Sequence, residues 1–224
     1  MRVHHHLVQM HGTADATRAR LLDAAERLFA ERGVTGVSLR EINREAGARN
    51  AIAVQYHFGD RSGLVKAVLD RHRHDIDARR HAMLDQFDAD GGAGLRDFAA
   101  ALVRPAASKL ADESGRLHLQ IWAELVNRPR PARPGEPGDD AGGSIDRWRT
   151  GVAPLLDVQA VRVHRRFTAI RCAAAELGRR AASGSHGDDR LFVSHLIDLV
   201  AGILAAPVSD ETVRLADERD AARA

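Results

Sequence analysis

The chain has 224 residues, of which 44% are hydrophobic and 29% charged, with a net charge of +2. It is long enough to bury a core as one large or two small domains, and its composition fits a soluble globular chain. A single cysteine, Cys172, excludes an intrachain disulfide framework or a cysteine metal site, and no apolar run approaches the roughly 18 residues needed to span a bilayer.

Aromatic residues contribute only 4%, and Ala, Leu, Arg and Asp are abundant, a mixture that favours helices over sheets. The net charge is too small to imply a nucleic-acid partner by itself, although the first 66 residues carry a small surplus of basic side chains. The opening "MRVHHHLVQMHG" lacks the long apolar core of a signal peptide, so the expected location is the cytoplasm, with no membrane partner.

Residues 1–12 read as a flexible arm, and the histidines at 4–6 on it are not assigned to a metal. "TRARLLDAAERLFAERG" follows with Leu21, Leu22, Ala25, Leu28 and Phe29 at three- and four-residue steps, the pattern of an amphipathic helix. Thr13 or Thr17 is placed to cap it, and Gly33 to end it. A second helix opens at "SLRE", where Ser38 and Glu41 have the spacing of a capping box, and Gly47 stops it. A third is expected over about 50–58.

At about 100° per residue, Ala51, Val54 and Phe58 share one face of that helix, an ordinary core stripe. Arg49, Ile52, Ala53 and Tyr56 share the other. Two short helices joined at a glycine and preceded by a longer one describe a helix-turn-helix, whose second member enters a major groove. An exposed isoleucine suits a thymine methyl. Gln55 has the groups to read adenine, and Arg49 those to read guanine or hold a phosphate. Tyr56, His57 and Arg61 offer contacts to the DNA backbone.

These segments resemble the tetracycline-repressor-like (TetR) transcriptional regulators. The resemblance lies in "TRARLLDAAERLFAERG", "VSLREINREAG" and above all "YHFGDRSGL". It implies DNA contacts from Ser38 and Arg40, a base-facing region at Asn50, Ala51, Ile52, Ala53 and Gln55, and backbone contacts from Tyr56, His57 and Arg61. The turn "GARNAIAV" is one residue longer than the common form, and Asn43 stands where the family usually has alanine.

A fourth, longer helix resumes at "RSGLVKAV", in which His72 and His74 are expected to face solvent. After "DADGGAG", helices are expected at about 94–111, with a kink at Pro105, and at about 115–127. The Pro- and Gly-rich stretch 129–143 reads as a mobile loop. Further helices are expected at about 144–156, 158–182 and 188–205, with a short one after Pro207. With no alternating strand pattern, the fold class is all-α. A helix-turn-helix domain (13–60) leads through a long helix into a helical effector-binding and dimerisation domain (61–224), the division the resemblance implies.

Within "RLHLQIWAELVN", apolar walls with a few polar groups suit a ligand pocket, lined by His118, Ile121, Trp122 and Leu125 with Trp148. In "RLFVSHLIDLVAGILAAP" the stripe of Phe192, Leu196, Leu199 and Ile203 has a second stripe beside it, Val193, Ile197, Val200 and Leu204. With Val161 and Thr168 of the preceding helix, the second stripe is expected to form a two-fold four-helix bundle in a homodimer. No cofactor, metal site or catalytic group stands out. The reading is therefore a non-enzymatic regulator, a repressor released from operator DNA by a small apolar or amphipathic ligand. The competing reading is an all-helical enzyme or ligand carrier that contains a helix-turn-helix.

Overall fold

The structure, a computed structural model, describes residues 2–48, 50, 52–129 and 143–223, with residues 2–14 described by their backbone alone. All regular elements among them are helical, as the sequence predicts. In chain order they are α1 (Arg2–Arg32), α2 (Leu39–Glu45), α3 (Ala53–Phe58), α4 (Arg61–Ala89), α5 (Leu95–Ala107), α6 (Glu113–Val126), α7 (Ser144–Val152), α8 (Val158–Arg162), α9 (Arg165–Ala182), α10 (Arg190–Ala205) and α11 (Asp210–Ala221). The stretch expected as a mobile loop falls almost wholly outside the described residues.

Three elements differ from expectation. The backbone of residues 2–12, expected as a flexible arm, is continuous helix with α1. Its segment contains no proline and a single glycine, so nothing stops propagation from the helix that follows. The single helix expected over 158–182 is broken: His164 lies between α8 and α9 with φ 58°, a left-handed conformation unusual for any residue but glycine. Pro105 lies inside α5, and the chain leaves that helix through a 3-10 turn at Ser108–Ala111.

Two cores form. The first gathers Leu21, Ala25 and Phe29 of α1, Ile42 of α2, Val54 of α3, and Leu64, Val65 and Val68 of α4. The second is built on α5, α9 and α10 and includes Leu102, Trp148, Leu177, Leu196 and Val200. Helix α6 serves both. Ile121 and Leu125 complete the first core, while Leu119 belongs to the second. On its remaining side α6 meets α9 at close range. A Cβ on Gly178 would stand 2.5 Å from that of Ala123, so only glycine fits this crossing.

A buried polar cluster joins α1, α4 and α6. The Glu26 carboxylate accepts hydrogen bonds from Arg71 Nη1 at 2.9 Å and from the Ser114 hydroxyl at 2.8 Å, with His72 Nε2 at 3.2 Å. His72 therefore turns inward, contrary to the sequence reading, whereas His74 is exposed. A buried carboxylate is tolerated because several donors converge on it. The His118 ring lies 4.8 Å from that of His72, and its Nδ1 has no hydrogen-bond partner among the described residues.

Burial, then the proximity of His72 and Lys109, push the His118 pKa down from 6.5 to about 3. The folded chain keeps this imidazole neutral, while the unfolded chain takes up a proton below pH about 6.5. The resulting stability is present above that pH and is lost as the pH falls toward about 3. Denaturant unfolding across this window should show a loss of up to about 1.4 kcal/mol per pH unit from this one group. His118→Leu, neutral at every pH, should flatten the profile; equal slopes in the two proteins would refute the assignment.

Candidate nucleic-acid interface

The interface is built on a loop and two short helices that cannot satisfy their own backbone groups. At the start of α2, the Glu41 amide donates to Ser38 Oγ at 3.2 Å and the Ser38 amide donates to the Glu41 carboxylate at 2.8 Å. This is the capping box legible in the sequence. Hydrogen bonds from Ser38, then from Arg32 at 2.8 Å, hold the Glu41 carboxyl at about 2. The loop before α2 is gripped from two sides. Arg61 donates to the carbonyls of Val34 and Val37, both at 2.6 Å, and the Val34 amide donates to the two oxygens of Glu124 at 3.0 and 3.2 Å.

The turn between α2 and α3 uses Gly47 at φ 60°, and the Ala48 amide returns to the Asn43 carbonyl at 3.0 Å. Asn50 Oδ1 accepts from the Ile52 amide at 3.0 Å, a local turn closure that asparagine favours. Ile52 occupies the N-cap of α3 with no side-chain cap. The acceptor for the Val54 amide comes instead from Asn43 Oδ1, at 3.2 Å.

Packing of Ala53 and Val54 into the first core leaves Ile52, Gln55 and Tyr56 on one outward face, with Ile52 56% and Tyr56 78% exposed. Gln55 and Tyr56 lie on the outer side of α3, and Ile52 stands at its N-cap. The surface offers a branched aliphatic group, an amide and a phenol, a set matched to the methyl, donor and acceptor edges of a major groove. Beside it lies a cleft of about 620 Å³ bordered by Thr17 and Arg20 of α1 and by Gly47, Asn50, Tyr56 and His57. His57 is half-buried, its ring edge-on to Tyr56 at 5.0 Å. Ser38 and Arg40 are exposed at the start of α2. Arg49 and Ala51, also expected here, lie outside the described residues.

Two expectations at this surface need correction. Ala53 is buried rather than base-facing, because the helix begins at Ala53 and not near Asn50. Ile52, at φ −108° and ψ 17°, is not helical, and this shifts the phase of every residue after it. Arg61, expected at the DNA backbone, is committed inward to the loop carbonyls, since it sits at the first position of α4 directly against them. Sequence reasoning singled out Asn43 as a departure from the family's usual alanine but gave it no bond, and it missed Glu124, which lies 90 positions from its partner Val34.

Among the described residues, the side chains expected to line one pocket are divided between the two cores. Ile121 and Leu125 face the first core, Trp148 fills the second with its indole N–H on the Phe98 carbonyl at 2.7 Å, and His118 faces His72. Trp122 is half-buried against the second core. A helix wedged between two cores has its apolar residues claimed from both sides. The expected dimer stripe is likewise internal. Ile197, Val200 and Leu204 are buried, and Val193 and Val161 pack against the same core, because α10 is covered by α5 and by α9. Only Thr168 of that set is exposed. Cys172 is half-buried, and burial raises its thiol pKa, the opposite of an activated nucleophile.

Residues 21–68 match the family described as bacterial regulatory proteins, tetR family, a stretch that contains both short helices with Asn43 and Arg61 but not Glu124. Over this stretch the chain is similar to the tetR family. It is similar to the HTH-type transcriptional regulator TtgR of Pseudomonas putida, 39% identical over 80 residues, which are 35% of this chain and 38% of TtgR. It is similar to the HTH-type transcriptional regulator AcrR of Shigella flexneri, 32% identical over 108 residues, 48% of each chain. The chain thus spans under half the length of the relatives it matches. A solved TetR-family regulator from Streptomyces coelicolor A3 is similar at 18% identity and a TM-score of 0.47, over 85% of this chain and 95% of that one.

The double grip on the loop makes a testable claim. Arg61→Lys keeps the charge but cannot span two carbonyls, so denaturant unfolding should show a loss of about 1–3 kcal/mol. An unchanged midpoint would mean that the grip contributes nothing.

Proposed function

We propose that the protein is a sequence-specific DNA-binding transcriptional regulator, a repressor that acts in the cytoplasm and leaves its operator when a small apolar or amphipathic ligand binds. The observation that carries this reading is the outward face of α3. An aliphatic side chain and an aromatic ring stand exposed there on a helix whose other face is locked into a core. The names of the matched relatives support it.

The decisive experiment is retardation of the DNA upstream of the protein's own gene across a salt series, because counterion release makes true DNA binding fall steeply with salt. Gln55→Ala should then change the preference at one base pair by about 1–3 kcal/mol and leave the salt slope intact. A uniform loss over all sequences would place Gln55 on the backbone instead.

The DNA partner calls for two copies, with recognition helices about 34–36 Å apart on successive major grooves. The surface best suited to pair them is the outward side of α9 and α10, where Thr168 and Ala175 lie with Leu191, His195, Leu199 and Gly202. A partner copy is what an exposed leucine pair on this hairpin favours. Leu199→Arg, at a position 44% exposed and so tolerant of change within the subunit, should sediment as a monomer and lose about a hundredfold in operator affinity. A dimer with full affinity would remove this face from consideration.

For the effector, the cavity of about 440 Å³ between α4, α5 and α7 fits the reading. It is lined by Leu84, Phe87 and Phe98 with Arg147 and Thr150. An occupant there bears on α4, whose other end carries Arg61 and its grip on the loop.

A further inference from the structure

We propose that Asn43 is a positioning residue for DNA reading: it sets the pitch of α3 against α2 and thereby the base preference of this chain. The proposal rests on the DNA-binding function given above. Asn43 lies in the last turn of α2 and is 5% exposed. A buried amide side chain has to be hydrogen-bonded, and this one reaches across the turn to the Val54 amide at 3.2 Å. Its backbone carbonyl accepts from the Ala48 amide at 3.0 Å. One residue therefore grips both ends of the turn, Ala48 where the chain leaves α2 and Val54 where it enters α3.

The first amides of a helix need an acceptor, and the usual source is a Ser, Thr, Asn or Asp at the N-cap. Here the N-cap is Ile52, which has nothing to offer them. Supplying the acceptor from α2 has two effects. It frees position 52 for an exposed aliphatic side chain at the leading edge of the groove-facing surface. It also ties the first turn of α3 to a buried point on another helix. A helix of six residues is too short to hold itself together in water, so its direction is whatever its tertiary contacts impose.

Base-edge contacts depend on that direction, because hydrogen bonds weaken steeply as distance and angle depart from their optimum. Attraction of basic side chains to phosphates does not. Loss of the Asn43 acceptor should accordingly erode discrimination while sparing non-specific binding. A purely structural role would lower stability and leave discrimination unchanged.

The test uses the full chain as wild type, Asn43→Leu, which keeps the size and burial but removes the acceptor, and Asn43→Asp, which keeps an acceptor oxygen. A duplex selected by the wild type from a random pool and an unrelated duplex are titrated over a salt series, with thermal unfolding followed in parallel. Asn43→Leu should lower the ratio of selected to unrelated affinity by about tenfold or more, the scale of one lost hydrogen bond to a reading surface. Its affinity for the unrelated duplex and its salt slope should match the wild type, and Asn43→Asp should keep the ratio within about threefold. A folded Asn43→Leu that discriminates like the wild type overturns the proposal. So does equal loss in Asn43→Leu and Asn43→Asp. If Asn43→Leu does not fold, Asn43→Ala takes its place with the same two outcomes. A wild type that selects no sequence would defeat the DNA-reading function itself, a result distinct from either.

Discussion

A backbone amide or carbonyl that leaves a helix must find a partner, and the amino-terminal helical unit of this chain is organised around meeting that demand. Its loops are too tight and its helices too short to do so alone. The carbonyls of Val34 and Val37 take Arg61 from α4, the Val34 amide takes Glu124 from α6, and the Val54 amide takes Asn43 from α2. Each is a side chain reaching a main-chain group in another element: the first two fix the loop into α2, and the third fixes the start of α3, which carries Gln55 and Tyr56. Its supports are polar and directional as well as apolar.

The same logic explains how the unit connects with the rest of the chain. Glu26 on α1 is buried and holds donors from α4 and α6 together, and the Glu124 contact lies further along α6. A displacement of α4 or α6 is therefore felt at two separated places on the reading unit, one behind α1 and one beneath the loop into α2. A two-point attachment transmits rotation as well as translation.

Much of this was legible in the sequence, and the failures have physical causes. The capping box at Ser38 and Glu41, the break at Gly47 and the exposure of Ile52 and Tyr56 follow from local rules of spacing and capping. Ala53 was misplaced because a uniform turn of about 100° per residue was carried through Ile52, where the backbone is not helical. Arg61 was misplaced because a side chain that grips two carbonyls has the same sequence signature as one that faces solvent. Most of both stripes on α10 was correctly read as covered, Leu199 being the exception at 44% exposed. Their cover, however, is α5 and α9 of the same subunit, and a pattern of apolar residues does not say whose surface it meets. His72 and His118, which lie together, are separated by far too much chain for any spacing rule to pair them.

Helix α6 has a consequence for how such a protein is taken apart and rebuilt. Ile121 and Leu125 lie in the core beneath α1 to α4, and Glu124 closes the loop above it. A graft that moves only residues 13–60 onto another helical scaffold would arrive with an unfilled hollow in its core and an orphaned Val34 amide. The transferable module is discontinuous, the amino-terminal helices together with the far end of α6. A foreign scaffold accepts it only by offering an isoleucine, a glutamate and a leucine at steps of three and one along a helix laid against α1.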